Sequence, residues 1–176
     1  MAQLVMKRPI GAAPLPPAQP VAIREARPAD AEAIGRLMAG AFPELPWDAA
    51  RAHADLFDAP DVPVTYVIEE AGQIVATASV RYTDRFPGAG YVHWVGVDPA
   101  HRGRRLGTIV MARVLRRFAE DGRAFSILET DDFRLPAIAS YLGQGFIPHY
   151  TDGDHEVRWS KVFEQLALGR RTSGAK

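Results

Sequence analysis

Cysteine is absent from the chain, and its absence removes several kinds of chemistry at once. Without thiols there are no disulfides, no thiolate metal ligands and no cysteine nucleophile to carry an acyl group on the protein. No apolar run approaches the ~20 residues that span a bilayer, and the N-terminus lacks the charged and apolar regions of a secretory signal. We therefore expect a cytoplasmic protein, and we predict no metal site.

The chain also lacks an excess of charge of either sign. Lysine plus arginine and aspartate plus glutamate both number 21, so the formal net charge at pH 7 is +0. A balanced charge gives no bulk attraction to nucleic acid or to an anionic membrane, and aromatic platforms for base stacking are missing as well. Neither nucleic acid nor a membrane is expected as a partner.

The 176 residues suffice for one hydrophobic core and are too few to favour two complete domains. Residues 1–20 are rich in proline, which lacks a backbone N–H, so we predict a flexible arm outside the fold. The last residues are small, polar and basic, which predicts a C-terminal tail over residues 165–176. The domain itself is predicted to span residues 21–164.

Alternating and helical patterns of apolar residues divide this domain into short elements. Helices are predicted at residues 30–40, 47–57, 106–121 and 136–142. Strands are predicted near residues 21–25, 65–69, 73–82, 90–97 and 124–129, near Phe146 and at residues 157–162. The resulting order is strand, helix, helix, three strands, helix, strand, helix and two strands.

The segment between the strand that ends at Val97 and the following helix predicts an anion site. It reads Asp98-Pro99-Ala100-His101-Arg102-Gly103-Arg104-Arg105-Leu106-Gly107. The first turn of a helix leaves backbone N–H groups unpaired, and a glycine-bearing turn lets them converge on an anion. The three arginines add positive charge where a diphosphate would lie.

Two other phosphate-binding motifs do not fit this segment. A Walker loop needs Gly-Lys-Ser/Thr after its glycines, and a dinucleotide fingerprint needs its glycines after the first strand of a parallel unit. Neither pattern is present. The remaining alternative is that Gly103 and Gly107 form a tight turn and that the arginines are a solvated surface.

The segment resembles the signature of the GNAT superfamily, in which a strand ends in Val-x-Pro and Arg-Gly-x-Gly-x-Gly or Ala leads into a helix. The resemblance implies an α/β fold: a single GNAT-type domain with a mixed, mostly antiparallel sheet of about six to seven strands and about four flanking helices. It implies acetyl-CoA as cosubstrate. The CoA pyrophosphate is then expected at Arg102, Gly103, Arg104, Arg105, Leu106, Gly107 and Thr108. Arg105 replaces the central glycine of the motif, a variation expected at the first position of the helix.

A second match lies downstream, where Ala137, Tyr141 and Gly145-Phe146 resemble the family's Asn-x-x-Ala-x-x-x-Tyr-x-x-x-Gly-Phe. The family's asparagine, which contacts the pantetheine region, is Arg134 here. The resemblance implies that Tyr141 protonates the leaving thiolate, whereas a half-buried helix aromatic is the simpler interpretation.

The resemblance also implies that two strands splay apart at the Val-x-Pro end of the sheet. The backbone of Val95, Gly96 and Val97 would then pair with pantetheine. Gly96 suits such a close approach, and a simple β-bulge at this glycine explains it equally well.

The general base is left open between two main candidates. His93 shares a strand face with Val95 and Val97 by alternation, and Glu129 ends the next strand. Glu69 is a further rival, and a chain of water molecules would leave no base to find.

The implied function is direct transfer of an acetyl group, in a ternary complex, from acetyl-CoA to a primary amine. The acceptor is a small molecule, a peptide N-terminus or a lysine, and residues 41–61 are expected to contact it through aromatic and acidic side chains. The alternative function is a non-catalytic CoA or acyl-CoA sensor or structural module. A homodimer is possible, because the family often pairs through its terminal strands.

Overall fold

Seven strands form one sheet in the computed structural model, which describes residues 3–9 and 21–173. They are β1 (Leu4–Pro9), β2 (Ile23–Glu25), β3 (Val64–Glu70), β4 (Gln73–Arg81), β5 (Ala89–Val97), β6 (Phe125–Thr130) and β7 (Ile147–His149). Their order across the sheet is β2-β3-β4-β5-β6-β1-β7. Only β5 and β6 are parallel, and the other neighbours are antiparallel, so the predicted α/β fold with a mixed, mostly antiparallel sheet is confirmed.

In the described part of the chain five helices flank the sheet, where about four were predicted. They are α1 (Ala31–Ala41), α2 (Ala49–Ala52), α3 (Leu106–Glu120), α4 (Leu135–Gly143) and α5 (His155–Ser173), and α2 runs on as a π-helical turn at His53–Phe57. Two hydrophobic clusters lie on opposite faces of the sheet, and adjacent residues of β3 point into different ones. Tyr66 packs in the cluster under α3, and Val67 packs in the cluster under α1. Helices α1 and α3 therefore cover opposite faces of the sheet.

The N-terminal strand β1 corrects the prediction of a flexible arm over residues 1–20. Leu4 and Met6 are completely buried, and β1 pairs with β6 along its whole length, from Leu4 opposite Thr130 to Pro9 opposite Phe125. The prediction is wrong for Leu4–Pro9 because proline enters only at the last residue of this apolar strand. The remainder of the predicted arm, residues 10–20, lies outside the described residues.

The C-terminal helix α5 corrects two further predictions. Residues 157–162, predicted as a closing strand, are helical, and the boundary predicted between residues 164 and 165 falls inside α5. Trp159 and Val162 are both buried, and their spacing of three residues places them on one face of a helix. The predicted tail is therefore helical as far as Ser173, and residues 174–176 lie outside the described part of the chain.

Within the described residues, 3–9 and 21–173, none of the helices combines the length and the apolar character that crossing a membrane requires.

Candidate active site

Strands β5 and β6 separate at their carboxyl ends and open a gap in the sheet. Their parallel pairing covers only residues 89–91 of β5 and 125–127 of β6, although both strands continue beyond it. The amide of Asp98 donates to the carbonyl of Val75 at 2.9 Å, so alternation along the strand turns the N–H and C=O of Val97 away from β4. The edge of β5 thus offers backbone groups to a ligand in the gap.

A β-bulge in β5 sits beside this gap. The register with β4 shifts between Thr77 and Ser79, and Trp94 has a left-handed backbone with φ of 46°. A bulge of this kind redirects the following strand. The bulge considered at Gly96 therefore lies at Trp94 instead.

Gly96 serves the packing of α1 rather than the approach of a ligand. A Cβ at Gly96 would lie 2.5 Å from the sulfur of Met38 and 2.9 Å from a methyl carbon of Leu37. Gly96 lines neither of the two cavities described below. By the same alternation, the N–H and C=O of Gly96 face β4 rather than the gap, so this geometry does not support its predicted role in cofactor binding.

The turn before α3 has the conformation that an anion site needs. Gly103 has φ of 80°, and beyond its chain neighbours a Cβ there would meet no atom of the described residues within 4 Å. Arg105 is the N-cap residue of α3 in a left-handed conformation, with φ of 59°, and no side chain caps the helix. The sequence predicts Arg105 one residue further on, in the first helical position. Left-handed backbone favours glycine, so the conformation of Arg105 explains why the family motif has glycine at this position.

The three arginines of the loop point in different directions. Arg104 pairs with the carboxylate of Glu70 through two contacts, 2.7 and 2.9 Å long, and its side chain lies away from the loop cavity. Arg102 and Arg105 both line that cavity. Two of the three loop arginines therefore face a ligand in this cavity.

The loop, α3, α4 and the end of β5 enclose a cavity of about 330 Å³, which we call the helix-side cavity. It brings together most of the residues that the sequence predicts for cofactor binding: Val95, Val97, Arg102, Gly103, Arg105, Leu106, Gly107, Thr108 and Arg134. Gly107 allows α3 to approach β5 closely, since a Cβ there would lie 3.3 Å from Val97.

A second cavity of about 360 Å³, the sheet-side cavity, lies in the gap between β5 and β6. Both candidate bases, His93 and Glu129, line it. The two cavities meet at a junction formed by residues that line both: Phe42, Val95, Arg134, Ala137 and Tyr141.

Tyr141 lies at this junction on α4. Burial raises the pKa of its phenol to about 12, and the nearby charge of Arg134 opposes that shift. The phenol therefore keeps its proton at neutral pH and can donate it to a group in either cavity.

The two candidate bases differ in their electrostatic surroundings. Burial, reinforced by the charge of Arg81 and opposed by Asp61, lowers the pKa of His93 to about 3. The Glu129 side chain, only 8% exposed, accepts hydrogen bonds from Tyr91 at 2.9 Å and from Arg85 at 3.0 Å. The third candidate, Glu69, pairs with Arg24 and lines neither cavity.

Arg134 joins the two sides of the junction. Its guanidinium lies 4.2 Å from the ring centre of Phe42, donates to Asp131 at 3.2 Å and pairs with Glu44. The arginine at the family's asparagine position therefore bridges the start of α4 and the segment after α1.

The segment expected to contact the acceptor, residues 41–61, contributes less to the sheet-side cavity than the sequence indicates. Only Phe42 and Leu45 from this segment line that cavity. Asp48 caps α2, and Asp55 pairs with Arg51, so both carboxylates serve local structure. The cavity obtains its acidic groups from Glu129 and Asp131 instead.

Several polar residues that line the cavities were not predicted. Tyr91 and Asp131 line the sheet-side cavity together with Gln3, whose side chain donates to Asp131 at 3.2 Å. Gln144 lines the helix-side cavity. Gln3 could not be found from local sequence, because 128 positions separate it from its partner.

Known proteins resemble this chain in sequence and in fold. N-alpha-acetyltransferase RimI of Mycobacterium tuberculosis is 32% identical over 132 residues, which are 73% of this chain and 79% of that protein. Mycothiol acetyltransferase of Nocardia farcinica is 34% identical over 71 residues, which are 40% of this chain, and the chain spans only 23% of that protein's length.

A solved GNAT family acetyltransferase of Brucella melitensis, in complex with acetyl-CoA, shares the fold with a TM-score of 0.57 and 21% identity, covering 75% of this chain and 88% of that one. The model of the acetyltransferase (GNAT) family matches residues 31–146. This segment is about two thirds of the sequence, and it includes the α3 loop, β6 and α4. The chain belongs to the acetyltransferase (GNAT) family.

Proposed function

We propose that this protein transfers an acetyl group from acetyl-CoA to a primary amine by direct transfer in a ternary complex. The observation that supports this most strongly is the meeting of two cavities at Tyr141. One cavity adjoins an uncapped helix start, and the other contains carboxylates and a buried imidazole. Such an arrangement lets two substrates meet beside a proton donor.

The helix-side cavity fits acetyl-CoA. The amides at the start of α3 and the side chains of Arg102 and Arg105 suit the pyrophosphate, and the outward backbone groups of Val97 suit the amides of the pantetheine arm. When bound, acetyl-CoA supplies an acetyl thioester at the junction. The backbone amides of Gly103, Arg104 and Thr108 stay predicted contacts.

Two side chains would handle the protons. Tyr141 holds a proton on its phenol oxygen. This proton would pass to the sulfur of CoA as the carbon–sulfur bond breaks. We assign Glu129 as the base that accepts a proton from the amine as the nitrogen–carbon bond forms. His93 suits this task less, because its burial disfavours the charged imidazolium that accepting a proton would create.

We further propose that the acceptor is the N-terminal amine of a polypeptide. RimI, named as an N-alpha-acetyltransferase, shares 79% of its length with this chain, whereas the mycothiol relative shares 23%. The carboxylates of Glu129 and Asp131 in the sheet-side cavity would attract an ammonium group. The cytoplasmic location and the homodimer stay predictions.

The experiment compares acetyl transfer from acetyl-CoA to short peptides, to the same peptides with a blocked N-terminus but a free lysine, and to small primary amines. Mass spectrometry identifies the acetylated atom. We expect transfer to free N-terminal amines and a loss of about 100-fold in kcat for Glu129→Gln. Acetylation of small amines alone would contradict the peptide acceptor, and full activity of Glu129→Gln would remove Glu129 as the base.

A further inference from the structure

The loop between β4 and β5, residues 82–88, brings an arginine to the carboxylate of Glu129. Phe86 of this loop packs against a small buried hydrophobic cluster, and its ring stacks on the ring of Tyr91, with 5.9 Å between the ring centres and 17° between the planes. The guanidinium of Arg85 lies 5.0 Å from the centre of the Phe86 ring. The anchored ring of Phe86 therefore holds Arg85 beside the end of β6.

The carboxylate of Glu129 receives contacts on both of its oxygens. Oε2 accepts hydrogen bonds from the phenol of Tyr91 at 2.9 Å and from Nη1 of Arg85 at 3.0 Å, while Nη2 of Arg85 lies 2.8 Å from Oε1. The directions of these contacts are fixed, because an ionised carboxylate only accepts and a guanidinium only donates. Burial and, to a smaller extent, the charge of Glu129 raise the pKa of Tyr91 above its ordinary value, so the phenol keeps its proton.

The two oxygens of Glu129 are therefore not equivalent. Two hydrogen bonds occupy both lone pairs of Oε2. Oε1 faces one donor group of the described residues, Nη2 of Arg85, and keeps a lone pair. Glu129 and Tyr91 line the sheet-side cavity, whereas Arg85 does not, so the arginine approaches the carboxylate from outside the cavity. The free lone pair of Oε1 is thus left for a group inside the cavity.

We propose that Tyr91 and Arg85 are positioning residues for the base, which saturate Oε2 of Glu129 and leave Oε1 to take the proton of the acceptor amine. The proposal rests on the proposed function, because Glu129 is the base assigned there. As the bond between the amine nitrogen and the thioester carbon forms, a proton of that nitrogen moves to Oε1, and Tyr91 and Arg85 keep their own protons. Both residues then act on the reaction only through Glu129.

The test measures kcat for acetylation of a peptide N-terminus by Tyr91→Phe, made both in the wild type and in Glu129→Gln. With Glu129 present, the change is expected to lower kcat by about 10-fold, as for the loss of one hydrogen bond to a charged group. In Glu129→Gln the same change should lower kcat by less than about 2-fold, because the base that Tyr91 positions is already gone. A purely structural role would lower kcat equally in both backgrounds.

Arg85→Met is a second arm of the same design. It decides the question even where Tyr91→Phe does not fold, since the Arg85 side chain is 62% exposed. This variant is expected to lower kcat by about 3-fold with Glu129 present and to have no effect in Glu129→Gln. The Kd for acetyl-CoA, measured by calorimetry, should stay within about 2-fold in all of these variants.

Each arm has a matched control. The phenol of Tyr82 also donates to a carboxylate, that of Asp121, and Arg36 is an exposed arginine paired with Glu32. Neither Tyr82 nor Arg36 lines either cavity. Tyr82→Phe and Arg36→Met should therefore leave kcat unchanged.

Equal losses of kcat in the wild type and in Glu129→Gln would overturn the positioning role, as would a normal kcat for both Tyr91→Phe and Arg85→Met. In either case the proposed function would stand. Full activity of Glu129→Gln would remove the base and its positioning residues together. A wild type that acetylates no amine would contradict the proposed function as well.

Discussion

The helix-side and sheet-side cavities meet at Tyr141, yet they are built in different ways. The helix-side cavity depends on backbone: a left-handed turn at Gly103 and Arg105, an uncapped helix and the free edge of β5. The sheet-side cavity depends on side chains from distant strands, with charges paired at its walls. Helix-start amides suit the phosphates of acetyl-CoA, whereas the carboxylates of the sheet-side cavity suit a cationic amine. Variants in the first cavity should therefore affect acetyl-CoA, and variants in the second should affect the acceptor.

The largest effect is expected at the junction itself. Tyr141→Phe removes the proton donor and should lower kcat by about 100-fold or more, while the Kd for acetyl-CoA changes little, since the ring remains. Steady-state kinetics and calorimetry measure the two quantities. Tyr150→Phe is a control, because Tyr150 is 57% exposed. A normal kcat for Tyr141→Phe would end its assignment as the acid.

A smaller effect is expected from the turn of the helix-side cavity. Gly103→Val introduces a β-branched residue at φ of 80° and should weaken acetyl-CoA binding by about 10-fold, because the turn must change its conformation. The KM for the amine should stay within about 2-fold in this variant. Gly88→Val is the matched control, since Gly88 has φ of 76° and also has no atom near its Cβ position. Equal losses of affinity in both variants would indicate general destabilisation.

On the sheet side, Asp131→Asn removes one carboxylate of the cavity. The Asp131 carboxylate accepts hydrogen bonds from Arg134 and from Gln3, and its negative charge partly compensates the positive charge of Arg134. We expect a rise of about 3-fold in the KM for a cationic amine and an unchanged Kd for acetyl-CoA. A larger effect on acetyl-CoA than on the amine would break the division between the two cavities.

The smallest effect concerns stability. His93 has a folded-state pKa of about 3, below its ordinary value of 6.5, so the unfolded chain binds more protons between these two values. The free energy of unfolding should therefore fall as the pH is lowered from 6.5 towards 3, and His93→Gln should make this fall shallower. Thermal unfolding of both proteins at a series of pH values measures this pH dependence of stability. An identical pH dependence in both proteins would contradict the buried neutral imidazole.

The two cavities also differ in how far the sequence predicts them. The turn and first helical residues that follow Val97 are contiguous, so their anion-binding character follows from local rules. The sequence also places Tyr141 correctly on a helix. The left-handed backbone of Arg105 and the pairing of Arg104 with Glu70 depend on the folded chain and could not be foreseen.

Long-range pairing explains the larger errors. Strand β1 is short and is followed by many prolines, and its partners in β6 and β7 lie more than a hundred positions away. In α5, Val157 and Trp159 alternate as in a strand, while Trp159 and Val162 have helical spacing, so periodicity in this short window supports both structures. The depression of the His93 pKa arises from burial that only the assembled sheet provides.

In the proposed function, the junction at Tyr141 joins an acetyl-CoA site to an amine site. The most direct measurement mixes the purified protein with acetyl-CoA and a panel of N-terminal peptides and follows free thiol and acetylated peptide together. We expect one thiol to be released for each acetylated amine. Saturable binding of acetyl-CoA without any acetylated amine would contradict it and would favour a non-catalytic acyl-CoA sensor.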